Sequence, residues 1–369
     1  MRNIDKFRGC LIGGAAGDAL GYAVEFMPDC TIFEKYGETG ITEYELQDGI
    51  AQISDDTQMT MFTATGLLSG TTRGMLRGIM APYESYIRHS YKDWYRTQTE
   101  RFPLPEDYHY SWLVNVPELF SRRAPGNTCL SALANEEDAT MENPLNRSKG
   151  CGGVMRVAPI GLYFAENRVP MEESDRIGAE AAAITHGHSL GWLPAAALVH
   201  IVRYLMEHEN EPILTAVEDM LAALPKEFPD ADSIDDFLAL LDRAVELSAS
   251  ELDDLDAVRE LGQGWVGDEA LAIAVYCALK HSDSFEDALI AAVNHSGDSD
   301  STGAITGNIM GAALGLAAIP RKYIDNLELK DVLMELADDL FNDCQMEEYS
   351  DYEDPIWEAK YVRMDYRKT

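Results

Sequence analysis

Basic residues are scarce in this chain of 369 residues: 29 lysines and arginines stand against 64 aspartates and glutamates, a formal net charge of −35. A surface so charged repels phosphate backbones and anionic bilayers, which argues against nucleic acid and membrane as partners. Cysteine is thin and dispersed. Cys10, Cys30, Cys129, Cys151, Cys277 and Cys344 include no C-x-x-C pair of the kind that marks zinc or redox sites, so they read as reduced thiols. The first residues lead into a glycine-broken apolar stretch that is too short for a membrane span and has no signal-cleavage pattern. The expectation is a cytoplasmic protein. Alternating strand patterns, internal repeats and low-complexity linkers are lacking, and there is neither a P-loop nor a G-x-G-x-x-G fingerprint.

What is present is the balance of an ordinary globular protein, 46% apolar and 25% charged. Length alone suggests two or three domains. Helical spacing is clear at Leu198, Ile201, Val202, Leu205 and Met206, with Pro194 suited to the start of that helix. It recurs at Phe237, Leu240, Leu241, Ala244 and Val245, and an apolar helix is expected over Leu271–Leu279. The architecture that buries so many one-faced helices is all-α, a multi-helix bundle of antiparallel and orthogonal packings. Between Gly70 and Lys149, Pro82, Pro103, Pro105, Pro117, Pro125 and Pro144 break the pattern, which reads as a loop-rich stretch fit to cover a cleft. Glu207–Glu260 is acidic and reads as outward helices. From Met346 the tail is acidic and aromatic, with Tyr349, Tyr352, Trp357 and Tyr361, and is expected to pack on the body as an extension, residues 346–369 against a catalytic unit of residues 1–345.

Two aspartate clusters carry chemistry, Ser54-Asp55-Asp56-Thr57 and Gly297-Asp298-Ser299-Asp300-Ser301-Thr302-Gly303. Neighbouring residues diverge by about 100° on a helix, so such pairs share a ligand only where the chain enters the helix. Either cluster alone reads better as a serine N-cap with acids favouring the helix dipole. Together they offer carboxylates and hydroxyls, the oxygen donors that hard cations such as Mg2+ take. Four carboxylates brought together from distant segments are costly without a cation.

The ordered blocks Gly9-Cys10-Leu11-Ile12-Gly13-Gly14-Ala15-Ala16-Gly17-Asp18-Ala19-Leu20-Gly21, Ser54-Asp55-Asp56-Thr57, Ala124-Pro125-Gly126-Asn127-Thr128, Gly150-Cys151-Gly152-Gly153-Val154-Met155-Arg156, Thr185-His186-Gly187-His188 and Gly297 to Gly303 span nearly the whole chain. In that order they resemble the ADP-ribosylglycohydrolases, the family of ADP-ribosylarginine hydrolases and dinitrogenase-reductase-activating hydrolases. The resemblance implies one all-α catalytic domain in place of the two or three suggested by length. It also implies a two-metal centre, Mg2+ or in some members Mn2+, with Ser54, Asp55, Asp56, Asp298, Asp300 and Ser301 as ligands.

Asp55, Asp56 and Asp298 are candidates for proton transfer as well as ligation, and Glu25 resembles the family's glutamate at the cleft mouth; by residue type alone it reads equally as a solvated acid. Asp18 ranks below these as a residue that packs or supports the ligands. Asn127, Ser148, Gly150, Cys151, Gly152, Gly153, Val154, Met155 and His186 are implied contacts to ribose and phosphates, His188 less so, and Trp265 an implied contact to adenine. Read without the resemblance, the glycine loop is a tight turn, His186 a hydrogen-bonded structural residue and Trp265 a core residue. The implied activity is hydrolysis of the bond between ADP-ribose and a protein side chain. Arginine is the preferred acceptor; Gly297-Asp298-Ser299-Asp300-Ser301 has a serine where other branches often carry threonine, which slightly favours the arginine or dinitrogenase-reductase branches. An O-linked substrate such as ADP-ribosylserine, a non-catalytic ADP-ribose-binding homologue and a generic metal-dependent phosphohydrolase are the competing readings. A monomer is expected, acting on an ADP-ribosylated protein or conjugate.

Overall fold

A computed structural model describes residues 3–105, 108–166 and 169–367. Among them the regular structure is helical: α1 (Ile4–Tyr22), α2 (Asp29–Tyr36), α3 (Asp55–Arg77), α4 (Tyr83–Thr99), α5 (Asn127–Leu133), α6 (Ala158–Phe164), α7 (Met171–Ala183) and α8 (Ser189–Glu207). They are followed by α9 (Ile213–Glu227), α10 (Ile234–Ser248), α11 (Asp254–Leu261), α12 (Gly267–Lys280), α13 (Phe285–Val293), α14 (Ser299–Leu314), α15 (Lys330–Asn342) and α16 (Pro355–Tyr361). Only isolated bridges stand where strands would be among the described residues. The fold is all-α.

The pairing that brings the chain ends together is α1 against α14. Glycines recur every fourth residue on both helices and so form one bare face on each. A Cβ placed on Gly17 would lie 1.9 Å from the carbonyl oxygen of Gly303, and one on Gly307 would lie 1.9 Å from that of Gly13. Gly9 meets Gly311 in the same way. The helices therefore run antiparallel with backbones touching, and the end of α1 lies beside the start of α14. The glycine-broken stretch is one continuous helix: the intrinsic cost of glycine, about 1 kcal/mol per residue relative to alanine, is offset by close packing.

The apolar spacing around Leu198 does form a helix, α8, but it begins at Ser189, five residues before Pro194. His188 caps it, its Nδ1 accepting from the amide of Leu190 at 3.1 Å. Pro194 thus removes a single donor near the helix start, a loss that the surrounding burial tolerates. Although α8 is 19 residues long and apolar enough to cross a membrane, it is the core helix, almost entirely enclosed by its neighbours. His200 on it is fully buried between Asp175 of α7, at 2.6 Å, and Asp219 of α9, at 3.0 Å.

The stretch from Gly70 is less loop-rich than its prolines suggest, because α3 continues to Arg77 and α4 fills Tyr83–Thr99. The buried face of α4 is Ile87, Arg88, Ser90, Tyr91, Asp93, Trp94, Thr97 and Gln98, mostly polar or aromatic, which hides its helical period from an apolar count. Irregular chain returns beyond residue 100. In the tail, Trp357 donates from Nε1 to Thr72 at 2.9 Å and Lys360 reaches Asp339 at 2.6 Å, so α16 is seated on α3 and α15.

Candidate active site

Ser54 is the N-cap of α3, its Oγ accepting from the amide of Asp56 at 3.2 Å. Asp55 and Asp56 are therefore first-turn residues, where the chain entering the helix lets both carboxylates face one cavity. Asp18, fully buried on α1, holds this turn from beneath. It accepts from the amide of Ser54 at 2.9 Å and the amide of Thr57 at 3.1 Å, and from the Thr57 hydroxyl. Asp298 is the N-cap residue of α14, and Asp300 lies already within its first turn. The α1–α14 seam sets this second cluster beside the first, and Glu25 follows directly from α1.

The two clusters meet. Glu25, Asp55, Asp56, Asp298, Asp300 and Ser301 line one cavity of about 300 Å³. Carboxylate oxygens of Glu25, Asp298 and Asp300 lie within 4.8 Å of one another, and all the carboxylates named are buried. Burial, and after it the charge of Asp300, pushes Asp55, Asp56 and Asp298 well above the ordinary carboxylate range. The same causes raise Glu25 to about 10 and Asp18 to about 7. Proximity of like charges at this depth is unfavourable unless protons or a cation neutralise it. One oxygen each of Asp56 and Glu25 has no hydrogen-bond partner. Unpartnered oxygens in an all-oxygen donor set, with the hydroxyls of Ser54 and Ser301 beside them, fit a hard divalent cation.

The remaining wall comes from three loops. Pro125, Gly126, Asn127 and Thr128 form the rim at the start of α5, where the amide of Gly126 donates to Asp55 at 3.3 Å. The Gly150 loop contributes Gly150, Cys151, Gly152 and Met155. Its backbone pairs with the chain before α12: the amide of Gly267 donates to Lys149 at 2.8 Å and that of Cys151 to Trp265 at 3.3 Å, which carries Trp265 to the mouth. Cys151 directs its thiol at Asp298, Sγ to Oδ2 2.7 Å. Ser148, Gly153 and Val154 do not line the cavity. Ser148 props the loop, its Oγ accepting from the amide of Gly150; Gly153 packs against the Gly191 carbonyl of α8; and Val154 is fully buried in the core.

His186 reaches the cavity from below the glycine loop. Arg156, fully buried and stacked on Tyr91, donates to the hydroxyl of Thr185 at 2.6 Å, and that hydroxyl lies 2.8 Å from Nδ1 of His186. With its oxygen accepting from arginine and Nδ1 the nearer of its two acceptors, the Thr185 hydroxyl favours the tautomer with Nε2–H facing Gly150 and Gly152. Burial first, then Arg156, lowers His186 to about 3, so the ring is neutral. His188 lies outside the lining, committed to capping α8.

Sequence reasoning overlooked Phe26. It is 72% exposed and stacks on Trp265, itself 39% exposed, with ring centroids 5.8 Å apart and planes 18° off parallel. An exposed phenylalanine in a turn belongs to no periodic pattern; its only signal is its place after Glu25.

The model of the family described as ADP-ribosylglycohydrolase matches residues 1–350. The chain belongs to the ADP-ribosylglycohydrolase family. Among the relatives of this family member, ADP-ribosylarginine hydrolase Tri1 of Serratia proteamaculans is 25% identical, over 92% of this chain and 80% of its own. ADP-ribosylhydrolase ARH3 of Danio rerio is also 25% identical, over 92% of this chain and 90% of its own. A solved structure described as an ADP-ribosylglycohydrolase-related protein complex superimposes with a TM-score of 0.58 at 25% identity, covering 92% of this chain and 98% of that one. The family places the chain among the ADP-ribosyl glycohydrolases, with ADP-ribosylated proteins or conjugates as the kind of substrate.

Proposed function

We propose that this glycohydrolase cleaves the bond joining C1 of ADP-ribose to an arginine side chain of a modified protein, in a two-metal centre held by Ser54, Asp55, Asp56, Asp298, Asp300 and Ser301. The observation that carries the reading is the convergence of two aspartate clusters, some 240 residues apart in sequence, on one buried cavity beside Glu25. When bound, Mg2+ or Mn2+ supplies positive charge against these carboxylates and a template for the ribose hydroxyls.

The protein's own residues do the rest. Phe26 and Trp265 form an exposed aromatic pair at the mouth, suited to stacking adenine. The Nε2–H of His186 and backbone amides of the Gly150–Gly152 turn supply donors to phosphate or ribose oxygens without adding cationic side chains. At the anomeric carbon the C–N bond breaks through an oxocarbenium-like state and a water oxygen takes its place. The bonding pair leaves with the guanidine nitrogen, and the proton lost by water is carried by a carboxylate to that nitrogen. Glu25, Asp55, Asp56 and Asp298 are the carboxylates within reach, and Glu25 and Asp56 each keep one unpartnered oxygen. The arginine preference is supported by Ser301 and by the name of the Serratia relative; the similarity to the Danio rerio relative, whose name leaves the acceptor open, keeps O-linked ADP-ribose as the second reading.

Incubation with arginine-linked and serine-linked ADP-ribosyl peptides plus Mg2+, with chromatography of the products, tests this. Free ADP-ribose from the arginine peptide, lost in Asp55→Ala and Asp300→Ala while helical circular dichroism persists, is the expected result. Release from the serine peptide alone would move the acceptor to the O-linked class. ADP-ribose binding with no release from either would make the chain a reader, and inorganic phosphate as the product would make it a phosphohydrolase.

A further inference from the structure

A second cavity, about 590 Å³ against about 300 Å³ for the acidic cleft, opens at the other end of α3. Its walls are the last turns of α3, the first turns of α4, the chain around Tyr110 and the end of α16. Its floor carries Arg73 and Arg77, both exposed and one helical turn apart on the same face. Among the described residues neither arginine has an ion-pair partner and no acidic side chain lines the cavity. In a chain with 64 acids and 29 bases, two neighbouring arginines facing one cavity form a local concentration of positive charge. Arg77, in the last turn of α3, also complements the helix dipole; Arg73, a full turn earlier, has no such explanation.

The wall facing the arginines is aromatic. His89 stacks on Tyr110 at 4.2 Å with planes 10° apart, and Tyr108 stands edge-on to Tyr110 at 4.9 Å. Tyr108 is 65% exposed, so a ring face is left bare inside a space of ligand size. Two guanidinium forks grip one phosphate group or two adjacent ones through paired N–H donors, and an exposed tyrosine stacks a planar ring.

We infer that this cavity is a second small-molecule site, for a nucleoside phosphate held by Arg73 and Arg77 at its phosphate end and by Tyr108 at its base. It is separate from the acidic cleft: Asp55 and Arg73 are eighteen positions apart on one helix, roughly 27 Å at 1.5 Å per residue. The overall charge makes the rest of the surface repel such a ligand, so binding is confined to this basic patch and weakens with salt.

Calorimetric titration of the full chain with ADP at low salt tests it. ADP also resembles the product of the acidic cleft, so the reading is a difference between variants. Arg73→Gln/Arg77→Gln is expected to bind one equivalent of ADP fewer than the wild type, with unchanged melting temperature and unchanged hydrolysis of the ADP-ribosyl peptide. Tyr108→Ala is expected to weaken that same equivalent about tenfold. Equal stoichiometry and affinity in the wild type and the double-arginine variant would overturn the site. Tripolyphosphate binding as tightly as ADP would overturn its assignment to a nucleoside.

Discussion

Asp18 accepts from three donors of the Ser54–Thr57 turn, the Ser54 amide shared between its two oxygens, without lining the cleft, so its chemistry is spent on holding ligands in place. Replacing it with asparagine keeps the shape but turns one acceptor into a donor against backbone N–H groups, leaving a buried amide unpaired. Groups that orient metal ligands typically change metal affinity by about 10- to 100-fold when altered. Asp18→Asn is therefore expected to weaken Mn2+ binding by that order, measured by calorimetry, with its circular dichroism retained; wild-type affinity would show that the turn holds itself. The hydrogen-bonded line Arg156–Thr185–His186 is the corresponding device on the opposite wall, fixing which imidazole nitrogen faces the substrate.

At the scale of elements, the seam between α1 and α14 decides whether there is a site at all, since it sets Glu25 and the Asp298–Ser301 cluster against α3. A methyl group has no room there. Gly307→Ala would press a Cβ against the Gly13 carbonyl at 1.9 Å, and overpacking of this kind costs about 1–3 kcal/mol or more. The expected outcome is a melting temperature lowered by a few degrees together with weaker Mn2+ binding, because separating the helices separates the ligands. An unchanged melting temperature would mean that the helices part without loss. This seam also marks where sequence patterns stop being readable. Helices with an apolar stripe, such as α8 around Leu198, α10 around Phe237 and α12 around Leu271, follow directly from spacing. In α1 and α14 the interface is made of missing side chains, and in α4 of Tyr91, Trp94, Thr97 and Gln98, so an apolar period has little to detect. The aspartate clusters and the glycine loop were legible as motifs; that they share one cavity depends on helix pairings that no local pattern encodes. Gly153 and Val154 belong to the same motif block as Gly152, and Ser148 lies just before it, yet all three support it from outside the cavity, a distinction set by which way each residue of the turn points.

For the whole molecule, acidity and buried carboxylates act in the same direction. Asp18, Glu180 and Glu227 titrate at about 7 in the folded chain, and Asp55, Asp56, Asp298 and Asp175 are also raised, in each case by burial first. A carboxylate whose folded pKa exceeds its unfolded value of about 4 keeps a proton that the unfolded chain has released, so stability falls as pH rises through that window. His200 adds to this slope. Burial lowers it, but Asp175 and Asp219 outweigh burial and hold it above its ordinary value, so its contribution is present at low pH and lost as pH rises through the folded value. The buried imidazoles of His186 and His295, held down to about 3 and about 4, oppose this slope, but the raised carboxylates outnumber them. Metal-free protein is thus expected to melt at a higher temperature at pH 5 than at pH 8, and Mg2+ to stabilise it more at pH 8, where its ligands hold fewer protons. A metal-free melting temperature that rises with pH would contradict these assignments.

The claim on which the rest depends is that the turns at Asp55 and Asp300 hold one pair of ions between them. Electron paramagnetic resonance of the protein loaded with two equivalents of Mn2+ addresses it directly. An exchange-coupled spectrum in the wild type, lost in both Asp55→Ala and Asp300→Ala, is the predicted result. Isolated six-line signals that neither substitution disturbs would contradict it.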